Sequence, residues 1–326
     1  MKTKADIKEI LRPINNYLVN VDNEIEKKLR TGIPLVDESA LHLFINGGKK
    51  IRASILILTN GLNGKIKDDI VELAAAAEIV HAATLVHDDI IDQALLRRGG
   101  LTVSKKFGDK VAVLAGDYMY TVALQSAVIH GNPDLFTLLV QGTRDMVKGE
   151  LLQLQYSNID SISEKHYFDI ITLKTAQFMG TCAKIGALEG NFNSDEADTV
   201  YEIGSNIGYA FQIIDDTLDI IDESGVTGKD VGNDFRDGKV TLPFLYLLEN
   251  GSQDNSSIIR EYIQKPDEER WEYIRKLLIE NGAVDYCLAR AKEYNNRALQ
   301  LIGQFPENEY RQILTDLCGF LINRHY

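Results

Sequence analysis

The chain has 326 residues, 44% of them apolar and 25% charged, a globular balance that excludes a wholly disordered protein. Acidic side chains outnumber basic ones by 48 to 35, for a formal charge of −13. That sign argues against a nucleic-acid binder, which needs a basic face, and it permits carboxylate clusters that metal ions would neutralise.

From Met1-Lys2-Thr3-Lys4-Ala5-Asp6 the chain continues in mixed polar sequence, without the apolar stretch of a signal peptide. No uninterrupted apolar run approaches the roughly 18 to 20 residues that span a bilayer, so a cytoplasmic, not a transmembrane, protein is expected. Cys182, Cys287 and Cys318 lie far apart, form no CxxC pair and read as core filler in a reducing compartment. Pro13, Pro34, Pro133, Pro243, Pro266 and Pro306 fall mostly where apolar periodic segments stop or start. Between them Ala, Leu, Ile, Glu and Lys recur at three- and four-residue spacing. Regular strand alternation bounded by hairpin turns is hard to find. Neither an internal repeat nor a low-complexity linker divides the chain. The expected fold is all-α, a single domain over residues 1–326 with about ten or more helices.

In chain order, Asn46-Gly47-Gly48-Lys49-Lys50-Ile51-Arg52 puts a glycine stop at one helix end and basic residues at the start of the next. Exposed amides beside Lys49 and Arg52 suit an anion. From Ile70 to Val86 the chain is apolar almost all round, with alanines at 74 to 77, which marks a buried central helix. It ends in His87-Asp88-Asp89-Ile90-Ile91-Asp92. Arg97, Arg98, Gly99 and Gly100 follow, arginine being suited to bidentate phosphate contact. Lys174-Thr175 lies inside an apolar helical stretch, where a lysine needs an anionic partner or a route to solvent. A second nearly all-apolar helix, Ala197 to Ile221, carries Gln212-Ile213-Ile214-Asp215-Asp216-Thr217-Leu218-Asp219. Residues 222–243, rich in Gly and Asp, read as a long loop whose Lys229 and Lys239 could close over a bound anion as a lid.

Both acid clusters have the form DDxxD. Residues four apart on a helix lie about 40° apart around its axis, so Asp88 shares a face with Asp92, and Asp215 with Asp219. Like charges on one face repel, and negative charge near a helix C-terminus opposes the macrodipole. Each cluster therefore works against its own helix unless a cation compensates it. Mg²⁺ fits, because it takes carboxylate oxygens and completes its shell with water and substrate phosphate.

These stretches, in this order, resemble the trans-polyprenyl diphosphate synthases, the family of farnesyl and geranylgeranyl diphosphate synthases and their long-chain relatives. The likeness runs through Gly47 to Arg52, Glu78 to Asp92, Arg97-Arg98-Gly99, Gly116-Asp117, Lys174-Thr175-Ala176, Phe211 to Asp219, Gly228-Lys229-Asp230 and Gly238 to Pro243. It implies helices packed around a deep cavity, usually in a dimer, and a head-to-tail condensation of isopentenyl diphosphate with an allylic diphosphate primer. By the same resemblance, Asp88, Asp92 and Asp215 would hold Mg²⁺, three ions with substrate bound, supported by Asp89 and Asp219. Arg97, Lys174, Lys229 and Lys239 would contact the allylic diphosphate. Lys49, Arg52, His81 and Arg98 would bind isopentenyl diphosphate, and Thr175 and Gln212 would stand near the developing cation. Taken alone, His81 reads as a hydrogen-bonded core histidine.

Product length should follow the residues beneath the first aspartates. Four and five positions before Asp88 stand Thr84 and Ala83, where short-chain members often carry an aromatic residue. Asp88 to Ala77 spans about 16 Å of helix, room for roughly three prenyl units. Below Asp215 the stripe passes Phe211, Gly208 and Gly204, and the two glycines are expected to leave space. A medium- to long-chain all-trans product of about C30–C40 is expected, of the kind used for quinone side chains. A short-chain farnesyl or geranylgeranyl synthase is the alternative. A class I terpene cyclase would not need Lys49, Arg52 and His81, and its second metal motif mixes Asn, Ser or Thr with Glu. A helical metal-binding protein without activity would release no pyrophosphate. The resemblance points to a homodimer, with the catalytic subunit of a heteromer as the alternative.

Overall fold

The computed structural model describes residues 7–45, 47–157, 159, 161–221, 239–265 and 267–323. The expected lid, with Lys229, lies outside the described residues as far as 238. The all-α expectation holds. The helices are α1 (Ile7–Ile10), α2 (Asn15–Leu29), α3 (Pro34–Ile45), α4 (Ile51–Asn60), α5 (Ile70–Ile91), α6 (Val103–Phe107), α7 (Asp109–His130) and α8 (Pro133–Gln155). They continue with α9 (Glu164–Ile171), α10 (Gln177–Glu189), α11 (Ser194–Ile221), α12 (Leu242–Asn250), α13 (Gln253–Gln264), α14 (Glu268–Glu280), α15 (Ala283–Ile302) and α16 (Glu309–Ile322). Polar side chains set several starts. Asn132 accepts from the Asp134 N–H ahead of Pro133, Ser252 from Asn255, and Asn308 from Arg311.

One departure from the sequence expectation is small and consequential. Leu96–Arg97 (β1) and Gly100–Leu101 (β2) pair antiparallel, Arg97 opposite Gly100. The two-residue turn between them has positive φ at both Arg98 (52°) and Gly99 (76°), the backbone that matches strand twist in a tight hairpin. Two-residue strands are too short to show alternation in sequence.

α4 is buried at every residue, and in α5 the alanines 74 to 77 are fully buried. An all-apolar helix fits only where neighbours cover every side. Here α5 packs on α7, and α10 packs on both α4 and α11. α5 and α7 are also each long and apolar enough to cross a membrane, a property that no uninterrupted apolar run announces because acidic groups break up α5. In α5 most of that apolar stretch is buried among other helices, whereas α7 leaves Val113, Leu114, Val128 and Ile129 exposed. α11 joins two cores. Val200, Ile203 and Ile207 pack into the core around α4, α5 and α10, and Ile213, Ile214, Leu218 and Ile220 pack with α12 and α15. The three thiols are buried and free, as expected of core filler.

Candidate active site

The end of α5 presents the first aspartate cluster. Asp88 and Asp92 occupy one edge, and Asp92 caps the helix, its N–H bonding to the Asp88 carbonyl at 2.8 Å. Asp88 lies 3.5 Å from Lys174 Nζ, and Lys239 Nζ donates to Asp92 Oδ2 at 2.6 Å. Burial pushes the Asp88 carboxyl up to about 6; Lys174 and Lys239 oppose the rise, while Glu150 and Asp92 add to it. Asp89 behaves differently. It is fully buried, and Arg97 Nε and Nη2 both donate to its Oδ1 at 2.8 and 2.6 Å. Burial also raises the Asp89 carboxyl, with Arg97 pulling against it. Arg97 engages only Oδ1, and Oδ2 is buried without a hydrogen-bond partner among the described residues.

The hairpin explains how adjacent arginines serve different places. Arg97 turns to Asp89, whereas Arg98 Nη1 donates to the Leu43 and Gly47 carbonyls at 3.2 and 2.5 Å. Gly48 makes room for it, since a Cβ there would lie 2.9 Å from Arg98 Nη1. Lys50, in a left-handed conformation, pairs with Asp22, and Lys49 is exposed beside it. Arg52 is 9% exposed, and its Nε has no hydrogen-bond partner among the described residues. Burial lowers the Arg52 and Arg98 guanidinium groups from their usual range, with Glu78 acting in the opposite sense. Glu78 is itself buried and accepts the Ala53 N–H at 3.0 Å. His81 is held well below its ordinary value, first by burial and then by Arg52, Arg98 and Arg97. It is therefore neutral at pH 7.

The two acid clusters are tied together by the segment between α9 and α10. Thr172–Ala176 forms a single π-helical turn, a wide turn that recurs at functional sites. Lys174 in it faces α5 and α8: it pairs with Asp88 and Glu150 and donates to Gln153 Oε1 at 3.3 Å. Gly149 permits this approach, because a Cβ there would sit 2.7 Å from the Lys174 backbone nitrogen. The next residue faces α11. Thr175 Oγ1 donates to Gln212 Oε1 at 2.9 Å, and Gln212 Nε2 donates to Asp216 Oδ1 at 2.8 Å. Tyr167 Oη donates to the other oxygen, Asp216 Oδ2, at 2.6 Å. Asp215 and Asp219, one turn apart and half-buried, flank the buried Asp216.

Comparison with known proteins agrees with this arrangement. Residues 33–278 match the family described as polyprenyl synthetase. The chain belongs to the polyprenyl synthetase family. It is a trans-prenyltransferase that makes a polyprenyl diphosphate. This prenyltransferase is 30% identical over 321 residues to the octaprenyl diphosphate synthase of Haemophilus influenzae, covering 98% of each chain. It is also 30% identical to the geranylgeranyl diphosphate synthase of Saccharolobus solfataricus, over 95% of this chain and 96% of the relative. The polyprenyl synthase of Caulobacter crescentus, solved with calcium and isoprenyl diphosphate, superposes with a TM-score of 0.94 at 29% identity, with all of both chains covered.

Glu150, Glu78 and Tyr167, polar groups around the candidate site, meet partners from other elements, Lys174, the Ala53 N–H and Asp216, and only packing reveals them. Asp216 was visible as the middle acid of a motif, but nothing in the motif separates its inward role from that of Asp215. The two glycines under Asp215 also differ from expectation. A Cβ on Gly208 would lie 2.7 Å from Ala176 Cα, and one on Gly204 would lie 2.5 Å from the Met179 carbonyl oxygen. They let α11 close onto its neighbours and do not open a channel. A further trio, Asp69, His130 and Glu189, gathers its ligand atoms within 4.8 Å. Asp69 precedes α5, about 28 Å of helix rise from Asp88, so this trio is no part of the aspartate site.

Proposed function

We propose that the enzyme condenses isopentenyl diphosphate with an allylic diphosphate, with Mg²⁺ as the metal and three ions engaged when substrates are bound. The observation that carries this reading is the pair Lys174-Thr175, one residue reaching Asp88 and the next reaching Gln212, three positions before Asp215. The acid groups fit divalent metal: Asp88 is a half-buried carboxylate beside Glu150 and Asp92, whose burial and like-charged neighbours raise its pKa and which a divalent cation would stabilise in its charged form. Asp88, Asp92 and Asp215 would ligate it, with Asp219 in support. Bound metal would stabilise negative charge on the departing diphosphate.

The chain's own residues do the rest. Arg97, Lys174, Lys239 and Lys229 hold the allylic diphosphate. Lys49, Arg52 and Arg98 hold the second diphosphate, an acceptor for the buried Arg52 Nε, which has no hydrogen-bond partner among the described residues. His81, being neutral, contributes an N–H and not a charge. Thr175 and Gln212 stand beside the developing cation, and apolar walls keep water from it. These cations offset the charge of the leaving group as the C–O bond ionises.

The product is a medium- to long-chain polyprenyl diphosphate of six to eight units, suited to a quinone side chain. Support comes from Thr84 and Ala83 at the positions four and five before Asp88, and from Ala77 further down the same face of α5. The chain acts as one helical unit in the cytoplasm and pairs as a homodimer through the exposed apolar side chains of α7 and α8, among them Leu114, Ile129, Leu151 and Leu154. The test is incubation with Mg²⁺, labelled isopentenyl diphosphate and farnesyl diphosphate, followed by dephosphorylation and sizing. Products of about 30 to 40 carbons, lost on Asp88→Ala with Asp215→Ala, are the expected result. Arrest at 15 or 20 carbons would retain the chemistry and overturn the length.

A further inference from the structure

We propose that Asp216 and Tyr167 are positioning residues that set the polarity of the Thr175 hydroxyl for the prenyl-transfer step. This rests on the reading that Thr175 and Gln212 stand beside the allylic cation. An ionised carboxylate accepts hydrogen bonds and donates none. Asp216, 4% exposed, offers its Oδ1 to Gln212, so the amide must present its NH₂ there, at 2.8 Å. The amide oxygen is then left for Thr175, whose O–H donates to it at 2.9 Å. With its hydrogen committed, the Thr175 oxygen keeps its lone pairs for the site, the sign that favours a cation.

Were the amide reversed, its NH₂ would occupy a Thr175 lone pair and free the O–H to point toward the cation, the wrong sign. Nothing in a Thr–Gln pair alone selects between these two arrangements. The buried charge does. Tyr167, a donor from α9 at 2.6 Å, fixes the other carboxylate oxygen and so the rotation of the group. Asn at 216 would have the same shape but both a donor and an acceptor, and the chain would lose its direction. Tyr167 of α9 and Gln212 of α11 each donate to one oxygen of Asp216, which is how its charge is tolerated despite its burial.

The test is steady-state kinetics of Asp216→Asn, Tyr167→Phe and Thr175→Val, singly and with each of the first two combined with the third. Asp216→Asn is expected to lower kcat by about tenfold or more, with KM for both diphosphates within about twofold. In the Thr175→Val background it should cost nothing further, whereas with Thr175→Ser, which keeps the hydroxyl, its cost should persist. An equal loss of kcat with and without the Thr175 hydroxyl would overturn the proposal, as would an unchanged kcat. Tyr167→Phe covers the case in which Asp216→Asn does not fold: it should show a smaller loss with the same dependence on Thr175, and independence would overturn the proposal. A wild-type chain forming no product would instead defeat the substrate reading on which the inference stands.

Discussion

The two aspartate clusters have the same spacing, and their middle acids meet different partners among the described residues. In both, the middle acid is buried and turned away from its neighbours, Asp89 fully and Asp216 at 4% exposure. Among the described residues, Asp89 accepts from a charged group, the guanidinium of Arg97, and Asp216 accepts from the neutral donors of Tyr167 and Gln212. Lys174 and Lys239 reach the outer acids of the first cluster, Asp88 and Asp92. A repeated motif therefore marks where carboxylates are needed, and the surrounding helices decide what each one does. The first cluster is an ion-pair assembly; around the second acid of the other, hydrogen bonds with a direction do the work.

The sharpest way to break this contrast is Asp89→Asn. It leaves Arg97 largely buried without its counter-charge and should cost about 3 kcal/mol of stability or more. Asp216→Asn keeps hydrogen-bonding capacity and should cost about half of that. Urea denaturation of the two variants would show it, and equal losses would abolish the distinction. Next come Asp88→Asn and Asp215→Asn, each expected to lower kcat by about 10²- to 10³-fold at saturating Mg²⁺, measured by isopentenyl incorporation. Full activity in either would remove that residue from the metal set.

A smaller effect concerns stability without metal. The Asp88 carboxyl stands at about 6 in the folded protein against an ordinary 3.8. Between those values the folded chain binds more protons than the unfolded one, so this group's contribution to stability falls as pH rises through the window and stays unfavourable above it. Asp88→Asn should therefore stabilise the metal-free protein at pH 7, by at most about 3 kcal/mol, while leaving it unchanged near pH 3. Thermal unfolding at both pH values measures this, and a lower Tm for the variant at pH 7 would contradict it. Comparable to this or smaller is the expected cost of Gly208→Ala, about 1 to 2 kcal/mol, because its methyl would press on Ala176. If that variant also lowers kcat, the close approach of α11 serves to position Thr175.

Much of the molecule is legible from residue order. All-round apolarity identified α5 and α11 as buried helices, and the four-residue spacing of acids placed Asp88 with Asp92 and Asp215 with Asp219 on common edges. The ordered motifs named the family and the basic residues. Less legible was anything that depends on a partner distant in sequence. Gly204 and Gly208 looked like empty space beneath Asp215 because a missing side chain reads the same whether a channel or another helix lies opposite. The β1–β2 hairpin escaped notice because two-residue strands have no periodicity, yet it sends Arg97 and Arg98 to different partners.

Helical periodicity and charge are local properties, and these the sequence determined by itself: an all-α chain, two acid edges and a set of cations to meet them. Tertiary structure decided which acids face outward and which turn in. It brought Glu150 and Gln153 of α8 to Lys174 and joined Tyr167, Asp216, Gln212 and Thr175 into one directed chain. The physical reason is that a buried charge is tolerated only where donors from other elements meet it, and no single segment carries both halves of that bargain.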